Sequence, residues 1–340
     1  FKGQGQDDLR QDAVMEQVFS LANGILHRDH ETRRRLLNVR EYKVIPLASQ
    51  AGVLEFVENT HPISDWLVEA HQRYRPDEKQ LCQLLYEIKK IRGDTGNPRP
   101  LRDRLIQNWA IIEEDVKPVM RHFFTEKHKT PNSWFATRLD YSRSVATSSI
   151  VGHILGLGDR HISNILIDNV TGAVIPIDLG IAFDQGKLLG VPELVPFRLT
   201  RDMVDGMGMS GTAGVFQRCA EEILRVLRDG SEVIMTVLEV FKHDPLHSWT
   251  ASEMRQQRFQ EGLTTPTVAP VAPGATIYPG MNSVGMLSGS AEEAADRALS
   301  SVSRKLDKSL SVETVVSQLI REATDSVNLA LMFEGWSAFY

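Results

Sequence analysis

Apolar residues recur at helical spacing over most of this chain and switch to short β-rich runs in only a few places. Val14, Val18, Leu21 and Ile25 fall on one helical face, with Asp7 or Asp8 as the N-cap. Tyr42–Leu47 and Gly52–Val57 are short β segments around a glycine-containing turn. From His61 to Ile154 the spacing predicts helix. One helix carries Leu81, Leu84, Leu85, Ile88 and Ile91 and is ended by Gly93–Pro98. A second face, Trp109, Ile112, Val116, Val119 and Phe123, is interrupted near Pro118. A third helix runs from about Ser133 to Leu155 and delivers the chain to a polar loop. Helical spacing returns over Val215–Leu227, Glu232–Phe241 and, with alternating charge, Glu292–Lys308.

The polar loop is Leu157-Gly158-Asp159-Arg160-His161-Ile162-Ser163-Asn164, and Asp178-Leu179-Gly180 follows it. Between them Ile165–Ile167 and Val174–Ile177 flank the turn-forming run Asp168–Gly172, which predicts a β-hairpin. The hairpin sets Asn164 and Asp178 side by side at the open ends of two strands, and two oxygen ligands at one mouth make a divalent-cation site. Phosphoryl transfer from a nucleotide needs such a site, together with an Asp that accepts the proton of the attacking hydroxyl. Asp159 and Asn164 keep the D-x-x-x-x-N spacing of kinase catalytic loops, except that the His follows the Asp here instead of preceding it. The alternative is a solvated loop with local hydrogen bonds. Spacing, hairpin and flanking elements together favour the kinase reading.

Bulk composition narrows the picture without deciding it. Over 340 residues, 42% hydrophobic and 24% charged content is that of an ordinary globular protein. A net charge of −6 argues against a direct nucleic-acid site, which needs a basic stripe. Cys82 and Cys219 are too few for a disulfide framework, which suits a reducing compartment. The His residues outside the polar loop show no metal-ligand spacing.

The shifted His identifies a branch. Gly152–His161 and Asn164, with D-R-H-x-x-N at the core, resemble the phosphatidylinositol 3-kinase-related protein kinases, and Asp7–Asp12 (Asp-Asp-Leu-Arg-Gln-Asp) matches a second stretch of that pattern. The resemblance implies an α+β, two-lobed kinase fold with a mostly helical large lobe, and ATP with magnesium (manganese as the alternative ion) as cofactors. It makes Asp159 and His161 catalytic and Asn164 and Asp178 the metal ligands. It gives Lys2 and Asp12 the phosphate-binding Lys and its carboxylate, although Gln4-Gly5-Gln6 adds two residues to the family pattern between Lys2 and Asp7. Leu54, Glu55, Phe56 and Val57 become the hinge, with Phe56 against adenine, Tyr42 deeper in the pocket, and Leu166 and Ile177 as its floor. Many relatives carry Trp where Phe56 stands; most of these positions are equally sheet-core residues. His161 would hydrogen-bond the metal-binding Asp or the transferring phosphoryl group, and Arg160 would pair with a carboxylate in the activation segment. The glycine-rich phosphate loop belongs just upstream of Lys2, so the chain reads as a piece of a longer polypeptide with a small lobe truncated at its N-terminus, inactive by itself.

Acceptor choice turns on the activation segment, Asp178 to about Asp202. Lipid kinases need several cations here for an inositol phosphate headgroup. This segment offers Lys187, Arg198 and Arg201 against four carboxylates, around a largely apolar Gly186–Phe197. That favours a protein hydroxyl. Val195–Gly208 further resembles the branch of the family that answers DNA double-strand breaks and maintains telomeres. The resemblance then implies protein substrates with Ser or Thr before Gln, checkpoint signalling, a nuclear location on telomeric chromatin, and a homodimeric full-length protein. It also implies a DNA-break sensor complex bound through regions outside this chain. A phosphoinositide kinase and a non-catalytic pseudokinase scaffold are the competing readings. The expected organisation is a partial small lobe and hinge over 1–57, a large lobe over 58–255, a flexible linker over 256–291, a helix over 292–307 and a FATC domain over 308–340. The linker, uncharged from Gly262 to Ala291 and rich in Pro and Gly, is alternatively a short partner-binding segment. In the last stretch Leu329, Met332, Phe333, Trp336 and Phe339 are too apolar for a free end, and docking on the large lobe is expected ahead of membrane contact.

Overall fold

A computed structural model describes residues 9–48, 51–242 and 291–340. Lys2, the Gln4–Gln6 run, the Asp7 or Asp8 cap and the linker up to residue 290 lie outside the described residues. Helix α1 (Leu9–Arg28) buries Val14, Met15, Val18, Phe19, Ala22 and Leu26, while Leu21 and Ile25, expected on the same face as Val14 and Val18, pack partly buried at its edge. Helix α2 (His30–Arg34) is started by Asp29, whose carboxylate accepts the amides of Glu31 and Thr32 at 3.0 and 3.1 Å. Strands β1 (Val44–Ala48) and β2 (Ala51–Leu54) pair antiparallel with Val44 opposite Leu54, and α1 packs against β1.

The next stretch departs from the helical expectation at one point. Thr60–Pro62 is a short strand, β3, paired antiparallel with β4 (Ile165–Asp168), which in turn pairs with β5 (Val174–Pro176). Three residues are too few to leave a period-2 signature, and only the distant partner strand makes them extended. Helices α3 (Ile63–Tyr74), α4 (Leu81–Gly93), α5 (Leu101–Asp115) and α6 (Arg121–Lys127) follow. The break near Pro118 is real. The amides of Val119 and Met120 that it frees are accepted by the buried Asp202 carboxylate at 2.7 and 3.1 Å, so the interruption is satisfied from another part of the chain.

Helix α7 (Pro131–Leu155) is the central strut, packed against α9 (Val215–Asp229). Thr130 caps its start, accepting the Ser133 amide at 3.2 Å, and Pro131 occupies the first turn, where no amide is needed. Gly156, at φ 64°, ends it in a Schellman arrangement: Leu157 donates to the Gly152 carbonyl at 2.9 Å and Gly156 to that of His153 at 3.0 Å. This left-handed stop throws the chain straight into the polar loop. Beyond the activation segment come α8 (Arg201–Gly206), α9 and α10 (Ser231–Lys242), and then α11 (Ala291–Leu306), α12 (Val312–Thr324) and α13 (Ser326–Leu331). Among the described residues, no helix is long and apolar enough to cross a membrane.

Candidate active site

The expected hairpin β4–β5 forms, with Ile165 opposite Pro176. Asp168 makes its turn by accepting the amides of Val170 and Thr171 at 2.8 and 3.0 Å. At the strand ends, Ile177 donates to the Asn164 carbonyl at 3.0 Å, which brings Asp178 alongside Asn164. Asp159 and Asp178 both hold left-handed backbone, at φ 57° and 55°, a conformation that costs free energy and concentrates at functional positions. What holds the chain in this shape is Arg160. Sequence reasoning gave it a carboxylate partner in the activation segment. It donates instead to main-chain carbonyls, those of Gly158 at 2.8 Å, Ile177 at 2.7 Å and Asp178. A planar guanidinium with several fixed donors is suited to gathering carbonyls that strand ends and tight turns leave unpaired.

Asp159 is buried, and its Oδ2 accepts the Asn164 side-chain amide at 2.8 Å. That contact spends the amide nitrogen and leaves Asn164 Oδ1 for a cation. Burial pushes the Asp159 carboxyl well above the usual carboxylate range, against the pull of Arg160, which makes it a stronger proton acceptor. His161 faces Asp159, with Nε2 3.6 Å from Oδ2. Its Nδ1 accepts the Ser163 amide at 3.1 Å, so the ring proton sits on Nε2, toward the carboxylate. Burial, with Arg160 and Arg198 nearby, pushes the imidazole down to about 3, and His161 is neutral at physiological pH.

Next to this loop is a cleft of about 520 Å³, within the range of small-molecule sites. Asp12, Tyr42, Leu54, Glu55, Phe56, Val57, Asn164, Leu166, Ile177 and Asp178 all line it. Tyr42 is buried, while Phe56 is 77% exposed at the mouth, a ring with an uncovered face. Asp159 and His161 do not line the cleft; Asp159 is joined to it through the Asn164 side chain. Asp12 does something the sequence reading did not include: its Oδ1 accepts the Leu179 amide at 2.6 Å, pinning the backbone just after Asp178 to α1. Among the described residues there is no cluster of three or more His, Cys, Asp or Glu side chains able to hold a metal. An amide oxygen and one carboxylate at a cleft mouth fit a magnesium-type ion that takes its remaining ligands from phosphate and water.

Two residues of the activation segment were not singled out as site residues. Glu193 is half-buried, and its Oε1 accepts the Asp159 amide at 2.7 Å. A Cβ on Gly158 or Gly186 would collide with this carboxyl, so both glycines make room for it. Burial raises Glu193 to about 7. Glu193→Ala should cut kcat on the order of 10²-fold by loosening Asp159, as small misplacements of reacting groups do. The KM for the nucleotide that the sequence implies should hold, because Glu193 does not line the cleft; steady-state kinetics in both substrates check this.

Arg198 is the second. Fully buried, it donates to the carbonyls of Trp336 at 2.7 Å, Ser337 at 2.8 Å and Tyr340 at 2.6 Å, and lies 4.4 Å from the centre of the Trp336 ring. Burial pushes its guanidinium down to about 9, still charged at neutral pH. Arg92 adds a bond to the Met332 carbonyl at 2.6 Å and an ion pair with Glu334 at 3.0 Å, and the His71 ring stacks on Tyr340 at 4.1 Å. The apolar tail is therefore docked beneath the catalytic loop, as its composition demands.

Comparison with known proteins agrees with this geometry. Residues 2–251 match the phosphatidylinositol 3- and 4-kinase family, and residues 309–340 match the FATC domain. The chain is 47% identical over 339 residues to the serine/threonine-protein kinase tel1 of Emericella nidulans, covering 100% of this chain and 12% of that protein. It is 47% identical over 341 residues to the tel1 kinase of Schizosaccharomyces pombe, covering 98% of this chain and 12% of that one. The open conformation of CtTel1 superposes with a TM-score of 0.86 at 43% identity, over 99% of this chain and 11% of that structure. A Tel1 kinase butterfly symmetric dimer gives 0.81 at 40%, over 98% and 13%. The chain thus spans about an eighth of the length of these relatives. By these matches and by its fold, the chain belongs to the phosphatidylinositol 3- and 4-kinase family.

Proposed function

We propose that this chain is the catalytic module of a serine/threonine protein kinase that transfers the γ-phosphate of ATP to Ser or Thr followed by Gln. The observation that carries this reading is the joining of Asp159 to Asn164 at 2.8 Å beside a cleft that Asn164 and Asp178 share with apolar walls. Asn164 Oδ1 and the Asp178 carboxylate would hold magnesium. Bound there, the ion supplies charge neutralisation on the transferring phosphate. Asp159 takes the proton of the substrate hydroxyl, and the neutral His161 keeps its Nε2–H directed at that carboxylate. Phe56 covers adenine at the mouth, and Leu54, Leu166 and Ile177 form its bed. Lys2 with Asp12 orients the phosphates.

A protein acceptor is supported by how the activation segment spends its cations. Lys187 pairs with Asp184 at 3.1 Å, Arg198 is buried against carbonyls, and Arg201 donates to the carbonyls of Glu113 at 2.8 Å and Val116. An inositol phosphate headgroup would find these charges already engaged. By resemblance to the named relatives we assign the full-length protein to double-strand-break checkpoint signalling and telomere maintenance, in the nucleus on telomeric chromatin. We take it to be a homodimer that meets its DNA-break sensor through regions outside this chain.

The test is phosphate transfer by the full-length protein from ATP and magnesium to a Ser-Gln peptide, to the same peptide with the Gln replaced, and to phosphoinositide vesicles. Transfer to the Ser-Gln peptide alone is expected. Transfer to lipid alone would overturn the protein-kinase reading. No transfer, and no magnesium-dependent thermal stabilisation by ATP, would make the module a scaffold.

A further inference from the structure

Glu16 follows Asp12 by one turn of α1, on the side of the helix that faces Tyr42, and has no part in the reaction described above. It is 8% exposed. Its Oε2 accepts the Tyr42 main-chain amide at 3.1 Å, and its Oε1 is buried with no hydrogen-bond partner among the described residues. Tyr42 and Asp12 both line the cleft. Among the described residues, the charged groups that act on Glu16 are acidic: Glu41 beside Tyr42, Asp12 from the same helix, and Glu55 from the hinge. A buried carboxylate with only acidic neighbours is costly, and such a group keeps its proton instead.

We propose that Glu16 is a positioning residue for nucleotide binding, which acts through the Tyr42 main chain and keeps the back wall of the cleft uncharged. The inference builds on the nucleotide reading of the cleft. Burial raises Glu16 to about 8, opposed by the Tyr42 amide and reinforced by Glu41, Asp12 and Glu55. Below that pH the carboxyl is neutral and still accepts the Tyr42 amide. Above it, a further negative charge joins Asp12 behind the wall, and a polyanionic nucleotide is repelled. The effect belongs in the KM for ATP, because Tyr42 lines the cleft and Asp159 does not.

The experiment follows the KM for ATP of the full-length kinase from about pH 6.5 to about pH 9, beside Glu16→Gln and Glu16→Leu. Wild type should lose affinity on the order of tenfold more than Glu16→Gln over that range. Glutamine keeps an acceptor for Tyr42 and cannot ionise, so its profile shows only the titration of ATP, magnesium and peptide. Leucine leaves the Tyr42 amide unpaired and should raise KM at every pH. The kcat profiles of wild type and Glu16→Gln should run parallel. Superimposable KM profiles, or a difference confined to kcat, would overturn the proposal. Direct titration with a fluorescent ATP analogue gives the same comparison without turnover. Absence of transfer in every protein would therefore count against the kinase reading and leave the Glu16 comparison intact. As a second measure, the folded protein holds a proton here that the unfolded chain releases above about 4.5, so native stability from this group falls as pH rises toward 8. The Tm of wild type relative to Glu16→Gln should fall over the same interval, and a constant difference would count against a protonated Glu16.

Discussion

Asp159→Asn should lower kcat about 10²–10⁴-fold, the usual cost of losing a positioned general base, while magnesium-dependent nucleotide binding persists. Asparagine is the sharper replacement here for two reasons. It tolerates the left-handed backbone at φ 57° better than other non-glycine residues, and its side-chain oxygen still accepts the Asn164 amide now held at 2.8 Å. The loop geometry and the metal ligand should therefore survive, and only basicity is removed. Single-turnover kinetics with a Ser-Gln peptide, set beside nucleotide titration, separate the two quantities. A variant that turned over at close to the native rate would remove Asp159 from the chemistry and leave the hydroxyl without a base in this loop.

The second large effect concerns Arg198. Arg198→Met preserves most of the volume and removes all the donors, leaving the carbonyls of Trp336, Ser337 and Tyr340 unpaired in a buried setting. Hydrogen bonds from a charged donor contribute roughly 1.5–3 kcal/mol each, and a stranded buried acceptor costs about as much. A loss of at least about 3 kcal/mol is expected even if water reaches one carbonyl. The tail should then undock. Hydrogen exchange over residues 326–340 would rise first, followed by exchange in the 157–164 loop, because Arg198 also donates to the Arg160 carbonyl at 3.3 Å. Phosphate transfer should fall with it. Unchanged protection of the tail in this variant would show that Arg92, Glu334 and the His71–Tyr340 stack suffice for docking.

How far the sequence could be read differs from residue to residue, and the difference has a physical cause. Asp159, Asn164 and Asp178 are legible because short-range rules determine them: one loop, one hairpin and a turn that Asp168 closes with its own side chain. The cleft walls at Leu54–Val57, Leu166 and Ile177 are legible only through the family resemblance, because β2 and β4 lie in different sheets and no local rule carries them to one place. Thr60–Pro62 is not, since only its pairing with Asp168, Ile167 and Leu166 makes it a strand. Arg160 misleads, and Arg198 passes unnoticed, for a related reason. A reader of sequence looks for a carboxylate to match each buried arginine, whereas both of these spend their donors on carbonyl oxygens, which every residue carries and no letter marks. Glu193 escapes notice because its partner is the amide of Asp159, thirty-four positions away, again a main-chain group.

The grip on the C-terminal segment has an implication for how this part of the chain can change over time. Apart from the face of Trp336, Arg198 touches oxygens whose identity does not depend on the side chains around them. Spelling in the tail can therefore drift while spacing cannot. A swap at the buried Ala338 for a residue of similar size leaves every acceptor where it was, but one residue inserted there would carry the Tyr340 oxygen out of the guanidinium's reach.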